Sequence, residues 1–106
     1  MNIVDWRRKI DELDCRLVEL LNERARAAHE IGKLKRAISL PIYEPEREKT
    51  IFENVQRANH GPLPQGELRQ VYERIIDVMR NLQKNEVASN NASTDGRTEL
   101  DREVND

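Results

Sequence analysis

The feature that most constrains this chain is a proline-free stretch from about Val4 to Ile38 whose apolar residues recur alternately every three and four positions. The seam reads Ile3, Trp6, Ile10, Leu13, Leu17, Leu20, Arg24, Ala27, Ile31, Leu34, Ile38. That spacing keeps one stripe of a helix apolar. At 1.5 Å per residue the helix runs roughly 50 Å. Ser39-Leu40-Pro41-Ile42-Tyr43-Glu44-Pro45 ends it, because residues preceding proline are pushed out of the α region.

Pro45 is a favoured first helical residue, and Glu44, Glu46 and Glu48 complement a helix N-terminus there. This second helix carries the stripe Ile51, Phe52, Val55, Ala58 and stops at His60-Gly61-Pro62. A third follows Leu63-Pro64-Gln65-Gly66, with Leu68, Val71, Tyr72, Ile75, Ile76, Met79 and Leu82 on its apolar side. Only 4% of residues are aromatic and 36% are charged, a composition that suits helices better than a sheet. Residues 1–84 therefore form one all-α domain. Residues 85–106, rich in Asn, Ser, Thr and Asp, read as a disordered polar tail.

The helices are mismatched in length. Two short helices cannot cover the whole seam of the long one. Leaving half of it wet forgoes about 1.5–3 kcal/mol per large side chain. A second copy of the chain supplies the missing cover, so the expected architecture is an intertwined homodimeric bundle, three helices per chain, one of them very long.

The net charge of −2 argues against a nucleic-acid or anionic-membrane partner. The single cysteine, Cys15, cannot form an internal disulfide. The N-terminus has no apolar signal region, so the expected location is the cytoplasm.

Arg24 breaks the seam between Leu20 and Ala27, and Lys35, eleven residues on, differs from it in direction by only about 20°. Two cations thus share a face expected to be core, where they are costly unless an anion meets them. Both could instead snorkel to solvent or pair with Glu23 or Glu30. Arg7 points about 100° away from Arg24, so it serves the same ligand only from another copy of the helix. Arg47, with Glu48 beside it, lies in the first turn of the second helix. Gln83 follows Met79 by four residues on the third. The latter is either a helix-end solvent contact or a neutral donor into a cavity. Arginine forks match carboxylates, so the set suits a small, multiply anionic ligand. His29 and His60 lack companions at metal-ligand spacing. No catalytic Ser-His-Asp set, phosphate loop or dinucleotide fingerprint is present.

Trp6-Arg7-Arg8-Lys9-Ile10-Asp11-Glu12-Leu13-Asp14, Leu17 to Arg24 and Ile31-Gly32-Lys33-Leu34-Lys35 resemble the first helix of the all-helical chorismate mutases. Tyr43 to Glu48 resembles the family's loop and second-helix start, and Ile75 to Gln83 its last helix. The likeness covers roughly residues 4–84. It implies the rearrangement of chorismate to prephenate in phenylalanine and tyrosine biosynthesis, with no cofactor or metal, in a homodimer whose sites are completed by an arginine of the other chain. It further implies that Arg7 is that donated arginine, that Arg24 binds a carboxylate, and that Lys35 contacts a carboxylate and the ether oxygen. Gln83 becomes the second donor to that oxygen. Glu48 accepts from the ring hydroxyl, Arg47 orients the substrate, and Glu44 contributes near the hydroxyl, largely through backbone. Two positions depart from the family: Glu44 replaces a common Asp, and Met79 a common serine. Two alternatives are an isochorismate–pyruvate lyase on the same scaffold, which Glu48 disfavours, and a non-enzymatic helical dimerisation module.

Overall fold

The computed structural model describes residues 1–84; the expected tail, 85–106, lies outside the described residues. Three helices appear in chain order: α1 (Ile3–Ala37), α2 (Pro45–Ala58) and α3 (Gln65–Lys84). No strand occurs among the described residues, so the all-α expectation holds.

α1 starts with a capping box. The Asn2 side chain accepts from the Asp5 amide at 2.9 Å, and the Asn2 amide donates to the Asp5 carboxylate at 3.3 Å. Two of the helix's orphan N–H groups are thereby satisfied. At the other end Ser39 takes a left-handed conformation, φ 59°, and the Leu40 amide donates to the Lys35 carbonyl at 2.8 Å. That reversal is what a helix C-terminus usually obtains from glycine. Its consequence is local: the chain folds back so that Ile42 and Glu44 meet Lys35.

Pro45 opens α2 as expected, but Glu44 at the N-cap makes no side-chain capping bond. Its carboxylate is engaged elsewhere. Between α2 and α3, Asn59 ties the loop by donating to the Leu63 carbonyl (2.9 Å) and to Gln65 Oε1 (3.0 Å).

α3 packs on both other helices. Its inward residues Ile76 and Met79 are buried, as are Ala28, Gly32 and Lys35 of α1. An added Cβ at Gly32 would sit 3.3 Å from the Gln83 backbone Cα, so a side chain there would force α1 and α3 apart. Arg36 of α1 also donates to the Gln83 carbonyl at 3.4 Å, fastening the end of α3.

Among the described residues the core is confined to this end. The first half of the seam is largely open, with Trp6 56% and Leu20 59% exposed. Soluble single chains rarely leave so long an apolar stripe uncovered.

Candidate active site

A cavity of about 360 Å³ opens between the three helices and the loop before α2. Its size falls in the range of small-molecule sites. The seam cation Arg24 and, one heptad and a turn further along α1, Lys35 both line it. Ala27, Ala28 and Ile31 form the floor between them, small enough to leave room for a ligand.

Lys35 is only 8% exposed. It reaches neither solvent nor Glu30, which pairs with Lys33 at 3.2 Å. Its ammonium instead lies 2.8 Å from Glu44 Oε1 and donates to the Ile42 carbonyl at 3.0 Å. Glu44 was expected to act largely through its backbone; here its side chain holds the buried cation. The backbone participates too, since the Glu44 carbonyl accepts from the Glu48 amide at 3.0 Å within the first turn of α2.

Arg24 is half-buried and Arg47 exposed, and both face the cavity's perimeter. Among the described residues neither pairs with a carboxylate. Gln83 is not a mere helix-end solvent contact. It lines the cavity and its Nε2 donates to the Ala28 carbonyl at 3.0 Å, which leaves its second N–H available. Met79 contributes an apolar wall.

Seven of the eight sequence-derived candidates, Arg24, Lys35, Glu44, Arg47, Glu48, Met79 and Gln83, thus line one cavity. Arg7 is not among them. It is exposed near the start of α1, about 25 Å along the helix axis from Arg24.

One cavity residue was missed by sequence reasoning. Arg80 donates through Nε (3.1 Å) and Nη2 (2.6 Å) to Glu48 Oε2, and through Nη1 to Asp77 at 3.3 Å. Hydrogen bonding to Glu48 raises its pKa above the ordinary value, outweighing the opposing effect of burial, so it stays charged. Its spacing, four residues after buried Ile76, was the available signal. Its pairing with Glu48, 32 residues away in sequence, had none.

Among the described residues no cluster of His, Cys, Asp and Glu is placed to hold a metal ion. No described helix is long and apolar enough to cross a membrane.

The family model described as chorismate mutase type II matches residues 6–84, which takes in all but the first three residues of α1, the whole of α2 and α3, and every cavity residue. The chain belongs to that family. A bifunctional chorismate mutase/prephenate dehydratase of Aquifex aeolicus is 43% identical over 84 residues, covering 76% of this chain and 23% of that relative. The chain therefore spans about a quarter of that relative's length. Among solved structures, a chorismate mutase (form II) from Thermus thermophilus superposes with a TM-score of 0.77 at 30% identity, covering 79% of this chain and 96% of that one. A Helicobacter pylori chorismate mutase in complex with prephenate gives 0.74 at 29% identity, covering 81% and 93%. The mutase fold is thus matched over nearly its full extent by residues of this domain.

Proposed function

We propose that the domain catalyses the rearrangement of chorismate to prephenate in a homodimer, in the cytoplasm, without cofactor or metal. The observation that carries the reading is the cavity itself. It gathers Arg24 and Arg47, cations without a carboxylate partner among the described residues, beside buried Lys35 and the neutral donor Gln83. Such a set calls for a small dianion. The prephenate bound by the Helicobacter relative is of that kind.

The reaction is intramolecular and needs no nucleophile. The protein's first task is conformational, to hold the enolpyruvyl arm over the ring by gripping both carboxylates. Arg24 takes one carboxylate, assisted by Lys35. Arg47 orients the same end, and Arg7 of a second copy closes the site. As the C–O bond breaks, negative charge grows on the ether oxygen. Lys35 and the free N–H of Gln83 stabilise that charge more in the transition state than in the substrate. Gln83 is preorganised for this, because its first N–H is fixed on Ala28. Glu48 accepts from the ring hydroxyl, and Glu44 balances Lys35 close by. Met79 replaces a polar contact by an apolar one, at a cost in affinity rather than in reaction type.

The homodimer is supported by the open half of α1. Ile3, Trp6, Leu13, Leu17 and Leu20 expose a stripe that a second α1 would cover. A monomer that stays folded at nanomolar concentration would count against it.

The deciding experiment follows chorismate consumption by purified protein and identifies the product. Prephenate supports the proposal. Pyruvate released from isochorismate, with chorismate untouched, would replace it by the lyase.

A further inference from the structure

The mechanism leaves one cavity cation unused, Arg80 of α3. Three residues pin its guanidinium. Two of its N–H groups converge on Glu48 Oε2, a third reaches Asp77, and its central carbon lies 5.0 Å from the centre of the Tyr43 ring. Its side chain is 27% exposed and that of Glu48 21%. The pair therefore sits inside the cavity wall rather than on open surface, where such pairs contribute little.

The geometry of the fork matters. An arginine that engages both carboxylate oxygens occupies the acceptor on each side. Here both bonds fall on Oε2, and Oε1 of Glu48 has no hydrogen-bond donor among the described residues. A glutamate in the first turn of a helix ordinarily samples several rotamers in solvent. Arg80 removes that freedom and leaves one carboxylate oxygen in reserve. A neutral side chain at position 80 would leave Glu48 half-buried without a countercharge, its orientation unset.

We propose that Arg80 is a positioning residue, which fixes Glu48 as a one-oxygen acceptor and so makes the cavity selective for dicarboxylates bearing a ring hydroxyl. This rests on the chorismate mutase reading and adds to it the residue that sets hydroxyl recognition. Arg80 acts through Glu48 and touches no reacting atom.

The test compares two competitive inhibitors of chorismate turnover, prephenate and the same dicarboxylate with hydrogen in place of the ring hydroxyl. Wild-type protein, Arg80→Leu, Arg80→Lys and Glu48→Gln are each measured, with urea unfolding alongside. Wild type should prefer the hydroxylated inhibitor by about tenfold or more, since a site built around a hydroxyl rejects the analogue lacking it. In Arg80→Leu and Glu48→Gln the preference should fall to about twofold or less, and Arg80→Lys, which keeps the charge, should recover part of it. A purely structural role would shift unfolding and weaken both inhibitors together, leaving the ratio intact. Direct carboxylate binding by Arg80 would do the same to the ratio. Either result overturns the inference, as does a full preference in Arg80→Lys alone should Arg80→Leu not fold and Glu48→Gln keep its ratio. Wild-type protein without chorismate turnover would overturn the parent reading instead; turnover with an unchanged ratio overturns this one alone.

Discussion

Lys35 Nζ lies 2.8 Å from Glu44 Oε1 and 3.0 Å from the carbonyl oxygen of Ile42, so the buried cation of the cavity is held before any ligand arrives. The two partners differ in their surroundings. The Lys35 side chain is 10% exposed, whereas Glu44 keeps 43% of its own in solvent.

That asymmetry separates stability from activity in Lys35→Met. Replacing one member of a buried pair is damaging when the other is left dry and charged, but Glu44 can return to water. The buried methionine packs where the lysine stem packed. The unfolding free energy from urea titration should stay within about 1 kcal/mol of wild type or rise. Turnover should fall by about 10²–10³, the loss typical of removing a donor to a developing oxyanion. Steady-state kinetics and urea titration on the same preparation check both halves. Near-normal turnover would remove Lys35 from the mechanism.

Gln83 gives a prediction in pH. An amide does not titrate, so its donor role is constant across the working range. In Gln83→Glu the carboxylate form repels charge growing on the ether oxygen, and only the protonated acid donates. Turnover should therefore be at least about tenfold below wild type at pH 7 and climb as pH falls toward the ordinary carboxyl range near 4.3. The sign follows from which form is active: protons restore the donor, so activity is gained on acidification and lost on the way up. A pH–rate profile parallel to wild type would place Gln83 outside the reaction.

Gly32 tests whether the α1–α3 spacing matters to catalysis. A Cβ there would meet Gln83 Cγ at 3.2 Å and its Cα and Cβ at 3.3 Å, so the α3 backbone has to yield by a few tenths of an ångström. Helix propensity favours alanine by about 1 kcal/mol and offsets the crowding. The melting temperature of Gly32→Ala should move little. Turnover should drop about tenfold, since small misplacements of a positioned donor weaken catalysis steeply. An unchanged kcat would show that Gln83 tolerates the shift.

These predictions draw unequally on sequence and structure. The three helices and the alignment of Arg24, Lys35, Met79 and Gln83 toward one interior were legible, because helical periodicity converts spacing into direction. Arg80 obeyed the same rule and was overlooked beside its more conspicuous neighbours. The pairings Lys35–Glu44 and Arg80–Glu48 were not legible. The first depends on the left-handed Ser39, a conformation that serine rarely advertises. The second depends on the angle at which α2 meets α3, which no local pattern encodes. Arg7 was legible only as an exclusion: its direction and distance keep it from its own chain's cavity.

That exclusion yields the sharpest numerical expectation. If each site takes Lys35 from one chain and Arg7 from the other, Arg7→Ala and Lys35→Ala proteins are each inactive alone. Mixed and allowed to exchange subunits, they form heterodimers in which one site carries both substitutions and the other carries neither. Random exchange makes half the dimers heterodimeric, so about a quarter of all sites are restored for a two-fold assembly. Activity should rise with the rate of subunit exchange and level off near that fraction of wild type. An Arg7 acting on its own chain's cavity leaves no intact site in any combination, and mixing then recovers nothing. The same zero results from an obligate monomer, which sedimentation of the unmixed proteins identifies. Recovery therefore requires both the second copy and the donated arginine, and the plateau measures them together.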